Sequence, residues 1–422
     1  MKKTTIIITL SLTLGLFYGC DNAPKGDNTP NENGSTKEKI TIVADLTLSS
    51  GSGFEKYGEQ VWNGLMLSKD TLEALSVNII PTDNKGNQEA TRRNFSNYAG
   101  RKDVLLVMTN NSPLSKEARK TAEDLNINQI ALVAGDVDLC FNNEENKQFQ
   151  WVFRDAIMQN QEGEVFAPVI LEDPNVKTIA MLGVSDDYGT EGMSYLEKEI
   201  LKLNANVNVV KTSFDKKTTD FNSIIEDQLK LHPDAFYFAG RAKWIIAYVN
   251  QLSKKLAKRG LQTPIYVCDA FDDEDVLAGL GDNAKGVVFA SYHNNFDNPE
   301  GKDFLDKYHA AYDEKPGFLR RLLGRLFPRL FPNANQVIIH NPGIYAVDAY
   351  VCGQYIVKMI SEGNRTAEDF NKAFETMTFD SPIKGHLKVV DHSVISNVAL
   401  YKINENGEKE LIYYPGQEET AE

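Results

Sequence analysis

The 422-residue chain is poor in the residues that metal sites and many catalytic sites draw on, with six histidines and four cysteines. His232, His293, His309, His340, His386 and His392 form no HExxH and no other i, i+4 metal pair. Cys20, Cys140, Cys268 and Cys352 lie far apart, with no CxxC and no Cys/His cluster, so a structural zinc site has no basis. There is no GxSxG nucleophile elbow and no GxxxxGK[ST] phosphate loop. Gly51-Ser52-Gly53 lacks the third glycine of a dinucleotide fingerprint, and Gly279-Leu280-Gly281 reads as a loop. Scattered single acids do not define a glycosidase pair. The chain therefore reads as a non-enzyme without cofactor or metal. Positive charge is also short: 45 Lys and Arg against 59 Asp and Glu give a net charge of −14. That balance argues against general nucleic-acid binding, which needs a basic face to displace counterions.

At the N-terminus, Lys2 and Lys3 precede a mostly apolar run over residues 6–18. A basic start, a short apolar stretch and a small residue at the cut are the layout of a secretory signal. The run is shorter than the roughly 18 residues a spanning helix needs. Leu16-Phe17-Tyr18-Gly19-Cys20 resembles the lipobox of bacterial lipoproteins, although Phe17 and Tyr18 are bulkier than usual there. The resemblance implies that residues 1–19 are a signal peptide and that Cys20 becomes a lipidated first residue. Two or more acyl chains suffice for stable anchoring where one does not. Residues 20–38 continue with Asn, Pro, Gly, Ser, Thr and charge, a composition that cannot offset its ordering entropy and reads as a tether. Three cysteines remain, so at most one disulfide can form; they read as small buried hydrophobes.

Beyond the tether the composition is ordinary for a globular protein, 42% hydrophobic and 25% charged. Short β-branched runs alternate with segments of helical spacing over almost the whole body. ITIVADLTL precedes YGEQVWNGLMLSKDTLEAL, DVLLVMT precedes SKEARKTAEDLN, VKTIAMLGV precedes YGTEGMSYLEKEILKLN, and DAFYFAG precedes AKWIIAYVNQLSKKLAKRG. Strands apolar on both faces between helices predict an α/β fold of parallel sheets covered on each side. The length predicts two such lobes rather than one sheet, with a cleft beyond the carboxyl ends of the strands. Near the C-terminus, HLKVVDHS and NVALYKINENGEKELIYY predict an antiparallel hairpin around Asn404-Glu405-Asn406-Gly407.

From about residue 39 to 415 the order of short motifs resembles the type I periplasmic substrate-binding proteins of ABC transporters, in the leucine/isoleucine/valine-binding branch. The motifs are Leu48-Ser49-Ser50-Gly51, Tyr57-Gly58 and Gly64, Asp83, Asn111-Ser112, and Phe153-Arg154 with Gln161. Further along come Tyr188-Gly189, Asp220-Phe221, Phe238-Ala239-Gly240-Arg241, Lys285-Gly286-Val287, Tyr345 with Asp348-Ala349, and Gly385-His386-Leu387. The resemblance implies two Rossmann-like lobes joined by a three-stranded hinge and closing on a ligand. It implies lobe 1 over 39–155 plus 292–377, and lobe 2 over 156–291 plus 378–418. The implied function is capture of an amino acid or similar small polar solute for an ABC permease, outside the cytoplasm, by a lipid-anchored monomer. A sensor of the same fold, docking on a receptor or envelope enzyme, would carry the same sequence features.

Site residues follow from the same resemblance. Asp269, counted back from Lys285-Gly286, would meet a ligand ammonium from the second lobe. Asn111 and Ser112 would donate to the ligand's acidic end, and Tyr57 and Tyr188 would flank it. Two departures suggest a remodelled site. Asp136 and Asp138 stand where the family has small residues and a carboxylate-binding Thr, and Arg241 sets a cation on the opposite lobe. Together they imply a ligand with its own cation near lobe 1, or a polar, unbranched amino acid. A third departure is the stretch 317–341, with Arg320, Arg321, Arg325 and Arg329 among Leu and Phe. It reads as an insertion packed over the lobe with its arginines in solvent, or as a surface for anionic lipid or a partner.

Overall fold

The computed structural model describes residues 38–50, 54–313, Arg325 and 339–415. The signal segment, Cys20, the tether and nearly all of the Arg-rich stretch lie outside these residues. Among the described residues no helix is long and apolar enough to cross a membrane.

The chain builds two large sheets. In the first, the strands run in the order Thr378–Ser381, Gly385–Val390, Ser393–Ile395, Val152–Asp155, Asn128–Leu132, Val104–Asn110, Ile40–Leu46 and Val77–Asp83. Every pair from Ser393–Ile395 to Val77–Asp83 is parallel. Ile40–Leu46 and Val104–Asn110 are buried at every position, which explains their unbroken apolar character. The second sheet runs Lys409–Tyr413, Val398–Ile403, Val288–Tyr292, Ile265–Val267, Ala235–Ala239, Thr178–Val184 and Asn208–Phe214. It is parallel except where Val398–Ile403 pairs antiparallel with its neighbours on either side. The tail hairpin turns at Asn404–Glu408, where the Asn404 side chain accepts from the backbone N–H of Asn406 and Glu408.

The chain passes between the sheets at 155–159, 292–299 and 395–398. The boundary expected at 377/378 needs correction. The strands within 378–395 add to the edge of the first sheet, through the pairing of Ser393 with Arg154, and the chain joins the second sheet only at Val398. The hairpin Gly385–Val390/Ser393–Ile395 extends the sheet next to the first crossing, where Val152–Asp155 would otherwise be an open edge strand.

Glycine settles the helix packing at one crossing. A Cβ at Gly64 would lie 1.9 Å from the Ala346 carbonyl oxygen, so only glycine lets helix Glu55–Met66 meet helix Ile344–Ser361 that closely. One buried apolar cluster continues from Ile42 and Met108 in the first lobe through Ile157 and Phe166 to Met181 and Tyr237 in the second. Cys140, Cys268 and Cys352 are buried and unbridged.

Candidate functional site

The carboxyl ends of the two sheets face each other across a cavity with about 410 Å³ of atom-free space, part of it open to solvent. First-lobe residues Tyr57, Asn111, Ser112 and Tyr345 and second-lobe residues Tyr188, Arg241 and Asp269 line it. Phe54, Val133, Gly135, Ala156, Ile157 and Ala270 complete the wall. Six of the residues expected from sequence thus come together here.

The first-lobe wall is built around a helix start. Asn111 follows strand Val104–Asn110 and adopts φ 79° and ψ 146°, a strained backbone outside the left-handed helical basin. From there its Oδ1 accepts the Leu114 N–H at 3.1 Å and caps helix Ser112–Leu125. Its Nδ2 donates to Thr47 Oγ1 at 3.4 Å. Ser112 is buried against the cavity, and its hydroxyl makes no hydrogen bond among the described residues. A free hydroxyl at a helix N-terminus favours an anionic ligand group.

The second-lobe wall is built from acid and phenol. Asp269 is buried in the turn after strand Ile265–Val267. Its Oδ1 accepts the Tyr188 hydroxyl at 2.5 Å, and its Oδ2 accepts the Tyr345 hydroxyl at 3.4 Å from the other lobe. Tyr345 packs edge-on against Tyr57, with centroids 5.0 Å apart. Burial pushes the Asp269 carboxyl above its usual range, while the hydrogen bond from Tyr188 works against that rise.

Behind Asp269 lies Glu162, which the sequence reading missed. Its Oε1 accepts the Asp269 backbone N–H at 2.8 Å, and its Oε2 accepts the Tyr237 hydroxyl at 3.5 Å. Burial first, and then the Asp269 charge, hold Glu162 well above the carboxylate range. The sequence reading singled out its neighbour Gln161, whose side chain accepts the Met158 N–H and caps the helix. The missed signal was periodicity: Glu162 shares the buried face of helix Gln159–Ile170 with Gln159, Gly163 and Phe166.

Asp136 and Asp138 are not part of the cavity wall. Asp136 is fully buried and pairs with Lys116 at 2.6 Å, while its Oδ1 accepts the Asp138 N–H at 3.1 Å. Asp138 turns to Asn143 at 3.1 Å. Arg241 lines the cavity, but its guanidinium is paired with Asp186 at 2.9 Å and lies over the rings of Phe54 and Tyr188. Burial pushes the Asp186 carboxyl up, yet Arg241 and Lys216 outweigh it and hold Asp186 below its ordinary value. Of the charges that suggested a remodelled site, Asp136 and Arg241 are thus already matched within the protein, and Asp138 bonds to a side-chain amide away from the cavity.

The lobes touch around the cavity. Lys56 pairs with Asp275 at 2.5 Å, and Gln60 donates to Asp273 at 3.1 Å. The Asn341 N–H donates to Glu274 at 2.7 Å, and Lys116 also reaches Asp187 at 3.1 Å. This is a closed cleft.

Two parallel-sheet lobes, three crossings and a cavity between them define a bilobal solute-binding protein of the type I periplasmic class. The chain belongs to the Periplasmic binding protein family, which matches residues 39–319. A curated relative, a leucine-, isoleucine-, valine-, threonine- and alanine-binding protein of Pseudomonas aeruginosa, is 22% identical over 258 residues. That match spans 59% of this chain and 61% of the relative's length. Among solved structures, a branched-chain amino acid transporter substrate-binding protein of Streptococcus pneumoniae, in complex with isoleucine, superposes with a TM-score of 0.70. It is 18% identical, over 90% of this chain and 100% of that one. A solute-binding protein of an ABC transporter from R. palustris, in complex with benzoate, gives a TM-score of 0.69 at 18% identity, over 89% and 96% of the two chains.

Proposed function

We propose that this protein captures an amino acid, or a close relative with one cationic and one anionic group, between its lobes and delivers it to an ABC permease. In this reading Cys20 carries the lipid that holds the body outside the cytoplasmic membrane. The observation that carries the ligand class is the polarity of the two walls. Asp269 offers buried negative charge on one side, and Ser112 with its helix N-terminus offers free donors on the other. An ammonium at Asp269 and a carboxylate at Ser112 satisfy both, with Tyr57, Tyr188 and Tyr345 enclosing the middle. The relatives named above include binders of amino acids and of benzoate. An aromatic acid without a cation would leave Asp269 buried and unmatched, so the walls favour the amino acid.

The test is a thermal-shift panel on the chain after Cys20, with L-amino acids, amides, polyamines, nucleosides and benzoate. A ligand bound only by the folded state adds about 2.7 kcal/mol at a hundredfold excess over Kd, a shift of a few degrees. Stabilisation by amino acids and not by benzoate supports the reading. The reverse order removes it.

A further inference from the structure

Asp269 and Glu162 are two buried carboxyl-bearing residues joined by the Asp269 backbone N–H, which donates to Glu162 Oε1 at 2.8 Å. The titratable groups around them are Tyr188 from helix Asp187–Leu203, Tyr237 from its strand, Cys268 in the same turn, and Tyr345 and Tyr57 from the first lobe. No lysine, arginine or histidine pairs with either carboxyl among the described residues. The cavity's own cation, Arg241, is paired with Asp186. Two adjacent negative charges without a base cannot both persist in such a place; one group keeps a proton. Asp269 already accepts two phenol hydroxyls, which favours its anion. Glu162 is the deeper of the two.

We propose that Glu162 keeps the proton of this pair, so that the site presents a single negative charge and takes ligands with a single cationic group there. This rests on the reading of Asp269 as the cation receptor. Glu162 is a positioning residue: it acts through Asp269 and does not line the cavity. The pair then selects an amino acid's ammonium over a diamine, whose second charge would find no partner.

The first arm needs no ligand. A group whose proton is bound more tightly in the folded than in the unfolded state adds stability at low pH and loses it as pH rises through the folded value. Wild type should therefore lose stability relative to Glu162→Gln as pH rises above the ordinary carboxylate range and through the raised folded value of Glu162. The infrared band of a protonated carboxyl at neutral pH should weaken in the variant. Equal pH slopes together with an unchanged band overturn the proposal, whatever the ligand is.

The second arm uses L-isoleucine as the probe. Glu162→Gln, neutral and of the same shape, should hold its affinity within about threefold, and Glu162→Leu, which leaves the Asp269 N–H without its acceptor, should lose about tenfold. Equal losses in both variants contradict the positioning role. Failure of wild type to bind any amino acid counts against the proposed function, while the first arm still decides where the proton sits.

Discussion

The two walls of the cleft are built by opposite means. The first-lobe wall works through the start of a helix and one hydroxyl, at Asn111 and Ser112, where the fold itself supplies the donors. The second-lobe wall works through side chains stacked in depth, from Tyr188 to Asp269 to Glu162 to Tyr237. The first-lobe wall draws on few groups: Pro113 has no N–H, the Leu114 N–H is held by Asn111, and the Ser112 hydroxyl is the side-chain donor left. The buried-acid wall draws on many, and each group depends on the one behind it. Under the proposed function the difference assigns roles: the second lobe sets the demand for a cation, and the first lobe receives the anionic group.

The largest expected effect follows from removing the acid. Asp269→Ala should weaken amino-acid binding by about a hundredfold or more, because a charge-assisted contact in a closed cleft is lost. Calorimetric titration reads this directly, and a loss under tenfold would break the asymmetry. Next is Lys116→Met. It leaves Asp136 buried without its partner, a change that costs about 3 kcal/mol or more in stability. Denaturant unfolding checks it, and Asp136→Asn should restore much of the loss in the double variant.

Ser112→Ala should cost about tenfold in affinity, the lower end for a hydrogen bond to a charged carboxylate, since the helix N-terminus remains. A further effect concerns pH, and with Asp269 fully protonated it approaches that of Asp269→Asn. A ligand ammonium needs Asp269 ionised, so affinity should fall as pH falls through the folded value of that carboxyl. Because burial raises it, the fall should begin at higher pH than for an exposed aspartate. Titrations across the acid range test this, and Ser112→Ala should leave the acid limb in place.

How much of this was legible in the sequence differs between the same two regions. Strands such as VLLVMTN and AFYFA declare themselves because both faces are buried. The motif order carried Asn111, Ser112, Tyr188 and Asp269 to the cavity. Asp136 was misjudged because a sequence does not show which way a loop acid turns. Here it turns inward to Lys116, 20 residues earlier in the chain. The strands within 378–395 were assigned to the wrong lobe because an antiparallel hairpin reads alike at the edge of either sheet. Only the pairing of Ser393 with Arg154 decides. Glu162 went unseen because an acid at a helix start is ordinarily a solvated capping residue, and this one faces the core.

The most direct test compares two ligands that differ only in the ammonium group. Calorimetric titration of L-isoleucine against its des-amino analogue, 3-methylpentanoate, isolates what the second-lobe wall contributes. The account predicts that the amino acid binds at least about a hundredfold more tightly, and that Asp269→Asn erases most of the gap. Equal affinities for the two, or tighter binding of the des-amino acid, would contradict it.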